Sequence, residues 1–173
     1  MTERPTRLVP LAEVARPHGV AGELRLKVYN RDSDLLFQLE RVVVRFASGE
    51  EREVAVRNVR PAGEAVLALL EGCVGRTEAE RWRGAQLLAP REAFPEPEPG
   101  EFYACDVEGA RVEVGGEPFG EVERLVSYPT CDALVIRSAE GRFEVPLVEG
   151  AVDEIDVGAR LVRVRSREAL EKA

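Results

Sequence analysis

Hydrophobic and polar residues alternate along much of the chain with the period of two that is typical of a β-strand. In residues 23–29, Leu24, Leu26 and Val28 share one face, and charged side chains occupy the opposite face. This pattern predicts a half-buried strand. Weaker alternation or continuous apolar runs predict three further strands in the first half of the chain, at residues 41–46, 52–57 and 65–70.

The alternation resumes in the second half of the chain. Strands are predicted there at residues 111–114, 119–126, 133–137, 142–145 and 161–165. Gly115-Gly116 has the composition of a hairpin turn between the first two of these strands. Short strands at such spacing, separated by turn residues, predict a β-barrel or β-sandwich.

One short helix is predicted where the alternation stops. Thr77-Glu78-Ala79-Glu80 matches a capping box, in which the Thr77 hydroxyl would accept a hydrogen bond from the Glu80 amide. The helix would end at Gly84, and Trp82 is expected to pack against the core. Two further helical segments are predicted at residues 33–39, capped by Asp32 or Ser33, and as a frayed turn at residues 166–173.

Prolines at alternate positions mark the clearest break in the chain, at residues 90–100. Proline removes backbone donors and holds the chain near polyproline II, so this stretch predicts a stiff spacer that contributes little core. We therefore predict a first domain over residues 1–90, a linker over 91–100 and a second domain over 101–173. Both domains would be small all-β units.

Composition narrows the class of protein. Of the 173 residues, 45% are hydrophobic, which favours a packed chain over a disordered one. The apolar runs are too short to cross a bilayer, and residues 1–10 lack the core of a signal peptide, so we expect a cytoplasmic protein with no membrane partner. Cys73, Cys105 and Cys131 form no C-x-x-C pair and are expected to be small buried residues in a reducing compartment.

The net charge of −8 is unevenly distributed. Residues 1–94 carry 15 basic and 14 acidic side chains, whereas residues 95–173 carry 9 and 18. An acidic half disfavours sequence-independent binding to phosphate backbones and favours a basic partner, such as a ribosomal protein. Four cations in the first half could approach phosphates or form a solvated face, and both interpretations stay open: Arg16, Arg25, Lys27 and Arg31.

The sequence contains no recognisable catalytic arrangement. A Ser-His-Asp or Cys-His site would have to use the single histidine, His18, and no G-x-S-x-G motif is present. His18 lies between Pro17 and Gly19, which predicts either a turn residue or a partner contact. The glycines of residues 115–120 lack G-x-G-x-x-G spacing. We expect no enzymatic activity, no cofactor and no metal.

Two aromatic residues, Phe102 and Tyr103, directly follow the predicted linker. They could pack within the protein, or they could anchor a partner, because aromatic side chains bury a large area. Along an extended chain they would point to opposite faces, so one could pack inward while the other stays available.

Two separated motifs resemble those of the RimM family, which assists maturation of the small ribosomal subunit. The first is A-R-P-H-G-V-A-G-E-L-R-L at residues 15–26, and the second is E-F-Y-A-C-D-V-E-G at residues 101–109. Residues 77–84 resemble the family's helix before the linker. Shorter matches follow in order at residues 119–122, 131–135, 144–146 and 152–156, so the resemblance spans nearly the whole chain.

The resemblance implies an all-β fold of two small β-barrels, a translation-factor-like N-terminal barrel and a C-terminal PRC-type barrel joined by a Pro-rich linker. It also implies a non-catalytic factor that binds the small-subunit head protein numbered nineteen and promotes subunit maturation and rRNA processing. The partners would be that protein and the immature small ribosomal subunit, with direct rRNA contact left open. We expect a monomer.

The family's paired aromatics, which the resemblance links to partner binding, fall on Phe102 and Tyr103. The family usually has Tyr-Tyr, often followed by Trp, whereas this chain has Phe102 and Ala104. Stacking area and one possible hydrogen bond, worth a net of roughly 1 kcal/mol, are therefore missing. Gly19 and Gly22 are the candidate structural turn residues. The candidate partner-binding residues are Phe102, Tyr103, Asp106, His18 and Arg16.

Two other classes of function stay open. One is a regulatory PRC-barrel module, which would not need the motif at residues 15–26. The other is an enzyme that uses carboxylates alone, and such an enzyme would show strongly perturbed carboxyl pKa values within one deep pocket.

Overall fold

The structure is a computed structural model, and it describes residues 7–173. The chain divides into two compact units, Met1–Pro95 and Glu96–Ala173, so the division falls inside the proline-rich stretch. No helix within residues 7–173 combines the length and the apolar character that a membrane span requires.

The first unit is a closed six-stranded antiparallel barrel with the strand order β1-β2-β5-β4-β3-β6. Closure leaves no free sheet edge. The strands are β1 (Leu8–His18), β2 (Glu23–Val28), β3 (Arg41–Arg45), β4 (Glu51–Ala62), β5 (Ala65–Leu70) and β6 (Gln86–Pro90).

Alternation along β2 places Leu24 and Leu26 in the barrel core, where they are 0% and 4% exposed. Trp82 is also buried, and its ring meets Phe46 edge-on with the ring centroids 5.3 Å apart. The indole N–H of Trp82 donates a hydrogen bond to Glu78 Oε1 at 3.0 Å. The expectation that Trp82 is a packing residue is therefore confirmed.

Both predicted helices of the first unit exist. Thr77 does not cap the second helix, and the N-cap residue of the first helix is Asp34, although the predicted Ser33 hydroxyl accepts a hydrogen bond from the Leu35 N–H at 3.3 Å. Helix α1 (Leu35–Gln38) and helix α2 (Gly75–Arg81) have no side-chain hydrogen bond at their N-caps. Helix α2 begins two residues before Thr77, because Gly75 adopts a positive φ of 77° and turns the chain earlier. Thr77 therefore lies inside the first turn and does not cap it.

The second unit is a seven-stranded sheet with the order β11-β12-β7-β8-β9-β10-β13, and it curls into a half-barrel. It is preceded by helix α3 (Ala104–Val107). Only the β12–β7 pair is parallel among the strand pairs of this sheet. The strands are β7 (Arg111–Val114), β8 (Glu117–Ser127), β9 (Asp132–Ser138), β10 (Gly141–Pro146), β11 (Val152–Asp156), β12 (Leu161–Val164) and β13 (Glu171–Lys172).

The predicted all-β class with two small β-units is confirmed. Gly115 and Gly116 form the turn between β7 and β8 with φ of 60° and 87°, as a two-residue hairpin requires. The predicted helical tail is wrong in part. After one 3₁₀ turn at Arg167–Ala169, strand β13 pairs with β10, because the sheet edge offers backbone partners that a frayed helix lacks.

Candidate functional site

The segment that carries the two aromatics is fixed by a reciprocal contact with helix α3. Tyr103 occupies the N-cap of the helix in an extended conformation, and the Asp106 N–H donates to its carbonyl at 2.8 Å. The Asp106 carboxylate in turn accepts from the Tyr103 N–H at 3.3 Å. Asp106 is 8% exposed, so a buried carboxylate holds the first turn of the helix, where the helix dipole favours negative charge.

Phe102 and Tyr103 are both half-buried, and both line a groove of about 610 Å³ in the second unit. Leu125 and Leu147 form part of its apolar lining. Four carboxylates line the same groove and have no ion pair within residues 7–173: Glu96, Glu98, Glu101 and Asp132. We call this surface the acidic groove.

Phe102 and Leu147 also line a second groove, of about 380 Å³. Its lining includes Val148 and Val157, two of the exposed large hydrophobic residues of the chain. Unlike the carboxylates of the acidic groove, Asp153 on this second groove is paired, because Arg165 donates to it at 2.8 Å. Phe102 therefore contributes to two adjacent concave surfaces.

The acidic groove matches a partner that presents basic and apolar side chains together. Unpaired carboxylates at its surface would attract guanidinium or ammonium groups, and charge-assisted hydrogen bonds are the stronger ones. Its apolar lining would bury the aliphatic stems of such side chains. Within residues 7–173, no group of three His, Cys, Asp or Glu side chains is placed to hold a metal ion.

His18 and Arg16 lie in the first unit. His18 is the exposed last residue of β1 and lies opposite Glu23 in the register, while Arg16 lies opposite Arg25. Phe102, Tyr103 and Asp106 belong to the second unit.

The turn after His18 depends on two glycines with positive φ, 65° at Gly19 and 97° at Gly22. A Cβ on Gly22 would lie 2.3 Å from the carbonyl oxygen of Cys73, whereas nothing lies within 4 Å of one on Gly19. Gly22 thus allows the β1–β2 turn to approach the backbone that follows β5.

The three cysteines differ in exposure, and none forms a disulfide. Cys73 is 1% exposed, and its burial, helped by the nearby Glu78 carboxylate, raises the pKa of its thiol to about 11. The expected burial is confirmed for this residue. Cys105 and Cys131 are only half-buried, because Cys131 lines the acidic groove and Cys105 lies in the helix beside it.

Most residues that build the acidic groove carry no sequence signal that marks them as site residues. Leu125, Cys131, Asp132 and Leu147 come from strands and loops that are distant in sequence from Phe102. No local pattern distinguishes them from other strand residues. The acidic composition of residues 95–173 and the paired aromatics Phe102 and Tyr103 were the sequence features that pointed to this surface.

The fold defines a class of β-protein in which a closed barrel is followed by a curled open sheet that carries an acidic, apolar groove. Residues 9–94 match the family model described as the RimM N-terminal domain. A ribosome maturation factor RimM from Sorangium cellulosum is 46% identical over 166 residues, covering 95% of this chain and 98% of that protein. The corresponding protein of Myxococcus xanthus is 34% identical, with 93% and 87% covered. The chain belongs to the RimM family of ribosome maturation factors.

Two solved structures are similar to the chain. A crystal structure of a RimM protein from Pseudomonas aeruginosa is 24% identical, covers 94% of this chain and 99% of its own, and has a TM-score of 0.47. The solution structure of the N-terminal domain of RimM from Thermus thermophilus is 27% identical, covers 52% and 96%, and has a TM-score of 0.43.

Proposed function

We propose that this chain is a non-catalytic assembly factor that binds the small-subunit head protein numbered nineteen. Through that contact it promotes maturation of the small ribosomal subunit and processing of its rRNA. The observation that carries the proposal is the acidic groove beside Phe102 and Tyr103. Membership of a family of ribosome maturation factors indicates that the cellular process is ribosome maturation. The groove provides a surface that is complementary to a basic ribosomal protein.

The wider partner is the immature small subunit, with direct contact to its rRNA. The protein acts in the cytoplasm as a monomer, and its second unit serves as a PRC-type protein-binding domain. The uneven charge supports a protein-binding role for the second unit, because residues 95–173 carry 18 acidic and 9 basic residues. Such a surface repels phosphate and attracts basic protein.

Three residues have distinct roles in the proposed contact. Phe102 supplies apolar area where the two grooves adjoin, and Tyr103 supplies a ring and a hydroxyl. Asp106 is buried and acts through Tyr103, whose backbone N–H donates to it. Asp106 is therefore a positioning residue.

The first test compares binding of purified protein nineteen to the wild-type chain and to Phe102→Ala/Tyr103→Ala. We expect at least tenfold weaker binding by the variant, because central aromatic residues often contribute about 2 kcal/mol or more to an interface. The matched control is Tyr29→Ala/Phe37→Ala, which removes two exposed aromatics of the first unit. Equal weakening by both pairs would contradict the proposed site, and no binding by the wild-type chain would overturn the proposed partner.

A second test separates charge from shape. Glu98→Lys/Asp132→Lys reverses two unpaired carboxylates of the acidic groove, and Glu117→Lys/Glu168→Lys makes the same charge change at exposed positions outside it. We expect the groove variant to lose binding and most of its salt dependence. If the two variants behave alike, overall charge rather than the groove governs the contact.

A further inference from the structure

Ion pairing differs sharply between two parts of the barrel surface. The arginines of β3 and β4 are paired with carboxylates: Arg41 with Glu53, Arg45 with Glu51, Arg52 with Glu50, Arg57 with Glu71 and Arg60 with Glu23. Four cations on β1, β2 and the loop after β2 have no ion-pair partner among residues 7–173: Arg16, Arg25, Lys27 and Arg31.

Two of these unpaired cations face each other. Arg16 lies directly opposite Arg25 in the β1–β2 register. Because Leu24 and Leu26 point into the core, Arg25 and Lys27 point outward, and Arg16 shares the face of Arg25. Like charges directly opposite each other destabilise a sheet, so this pair does not serve folding. A bound anion would relieve the repulsion.

The spacing of the cations suits a chain of negative charges. Side chains two residues apart on one face of a strand are separated by roughly 6.6 Å, which is similar to the distance between neighbouring phosphates along an RNA strand. Glu13 lies directly opposite Lys27 in the β1–β2 register and offsets part of its charge, whereas Arg25 lies between Arg16 and Leu67, and Glu23 accepts from Arg60.

An aromatic groove adjoins this row of cations. Lys27 and Arg31 line a concave surface of about 320 Å³ together with Phe37, which is 42% exposed. Cations beside an exposed aromatic ring are the arrangement that binds single-stranded nucleic acid, in which the backbone meets the charges and a base meets the ring. Glu64 on the same groove could accept a hydrogen bond from a base amino group.

We propose that the outer face of β2 is a binding track for single-stranded RNA. The phosphates contact Arg16, Arg25 and Lys27, and one base enters the groove against Phe37. The identification of the bound chain of negative charges as RNA rests on the proposed function, since an immature small subunit presents unpaired rRNA to its assembly factors. The track belongs to the first unit, whereas the acidic groove proposed to bind protein belongs to the second unit.

The test measures binding of a short labelled single-stranded RNA to the full chain by fluorescence anisotropy over a range of salt concentrations. Arg25→Gln/Lys27→Gln removes two charges from the track, and Arg52→Gln/Arg57→Gln removes two paired charges from β4 as the matched control. We expect at least tenfold weaker binding for the track variant and a salt slope smaller by about 1.4, with little change in the control. Equal effects of the two variants, or no binding by the wild-type chain, would overturn the proposal.

Two further measurements distinguish RNA from other polyanions. Phe37→Ala should weaken RNA binding and leave heparin binding unchanged, because heparin has no bases to stack. Polyglutamate binding as tight as RNA binding would instead indicate an acidic protein partner. Thermal melting serves as the folding control, and Arg25→Gln/Lys27→Gln should melt close to wild type because the lost repulsion between Arg25 and Arg16 offsets the lost attraction between Lys27 and Glu13.

Failure of this inference can be told apart from failure of the proposed function. The track variant should retain wild-type affinity for protein nineteen, and Phe102→Ala/Tyr103→Ala should retain wild-type affinity for RNA. If protein binding persists and RNA binding is absent, the track and the direct rRNA contact are wrong, and the proposed contact with protein nineteen stands.

Discussion

Asp106 accepts a hydrogen bond from the backbone N–H of Tyr103 at 3.3 Å, and its side chain is almost entirely buried. The contact fixes the backbone of one candidate binding residue through the start of helix α3. A buried carboxylate costs free energy unless it is hydrogen-bonded, so the loss of this contact has consequences for both stability and the shape of the acidic groove.

Asp106→Ala should lower the free energy of unfolding by about 1–3 kcal/mol, because it leaves the Tyr103 N–H without its acceptor. Affinity for the head protein should fall as well, since Tyr103 is no longer held in place. Asp106→Asn keeps an acceptor oxygen and should recover most of both properties. Urea unfolding and a binding titration measure the two effects, and an unchanged affinity in a folded Asp106→Ala chain would contradict the positioning role.

The two glycines of the β1–β2 turn should respond differently to alanine. Gly19→Ala faces open space at a φ of 65° and should cost about 1 kcal/mol. Gly22→Ala should cost several times more, because its Cβ would meet the backbone oxygen of Cys73 at 2.3 Å. Unfolding curves of the two variants provide a matched comparison, and equal losses would show that the turn moves away from Cys73 at little cost.

Stability should fall at alkaline pH because of Cys73. Burial raises the pKa of its thiol from 9.0 to about 11, so the unfolded chain ionises first as the pH rises. The contribution of the Cys73 thiol to the free energy of unfolding is fully present below about pH 9. It is lost as the pH rises from about 9 to about 11, and the total loss is about 2–3 kcal/mol. Since other groups titrate in this range, the measurement is the difference in unfolding free energy between wild type and Cys73→Ala. A difference that does not shrink with rising pH would contradict the prediction.

Local alternation identified strands that bury one face. Residues 65–70 and 111–114 were predicted with the bounds of β5 and β7, and the prediction over residues 23–29 differs from β2 by one residue. These segments succeed because their side-chain pattern alone determines which face is apolar.

Strands without that pattern were missed. Strand β1 contains prolines at positions 10 and 17 and shifts its register at two places, so its alternation is interrupted. Strand β11 carries three acidic residues in five positions and also contains a register shift. These segments become strands because neighbouring strands supply backbone hydrogen-bond partners, which no local window of sequence reveals.

The features of the candidate site also differ in whether the sequence alone predicts them. The sequence by itself determined the β class, the proline-rich break, the acidic second half and the candidate aromatics at residues 102 and 103, because each depends on composition or on neighbouring residues. Only the tertiary structure decided that Leu125, Asp132 and Leu147 join those aromatics in one groove. It also decided that Arg16 faces Arg25 with no ion-pair partner among residues 7–173. The physical reason is that strand register brings together side chains that are distant along the chain, and register is set by pairing across the whole sheet.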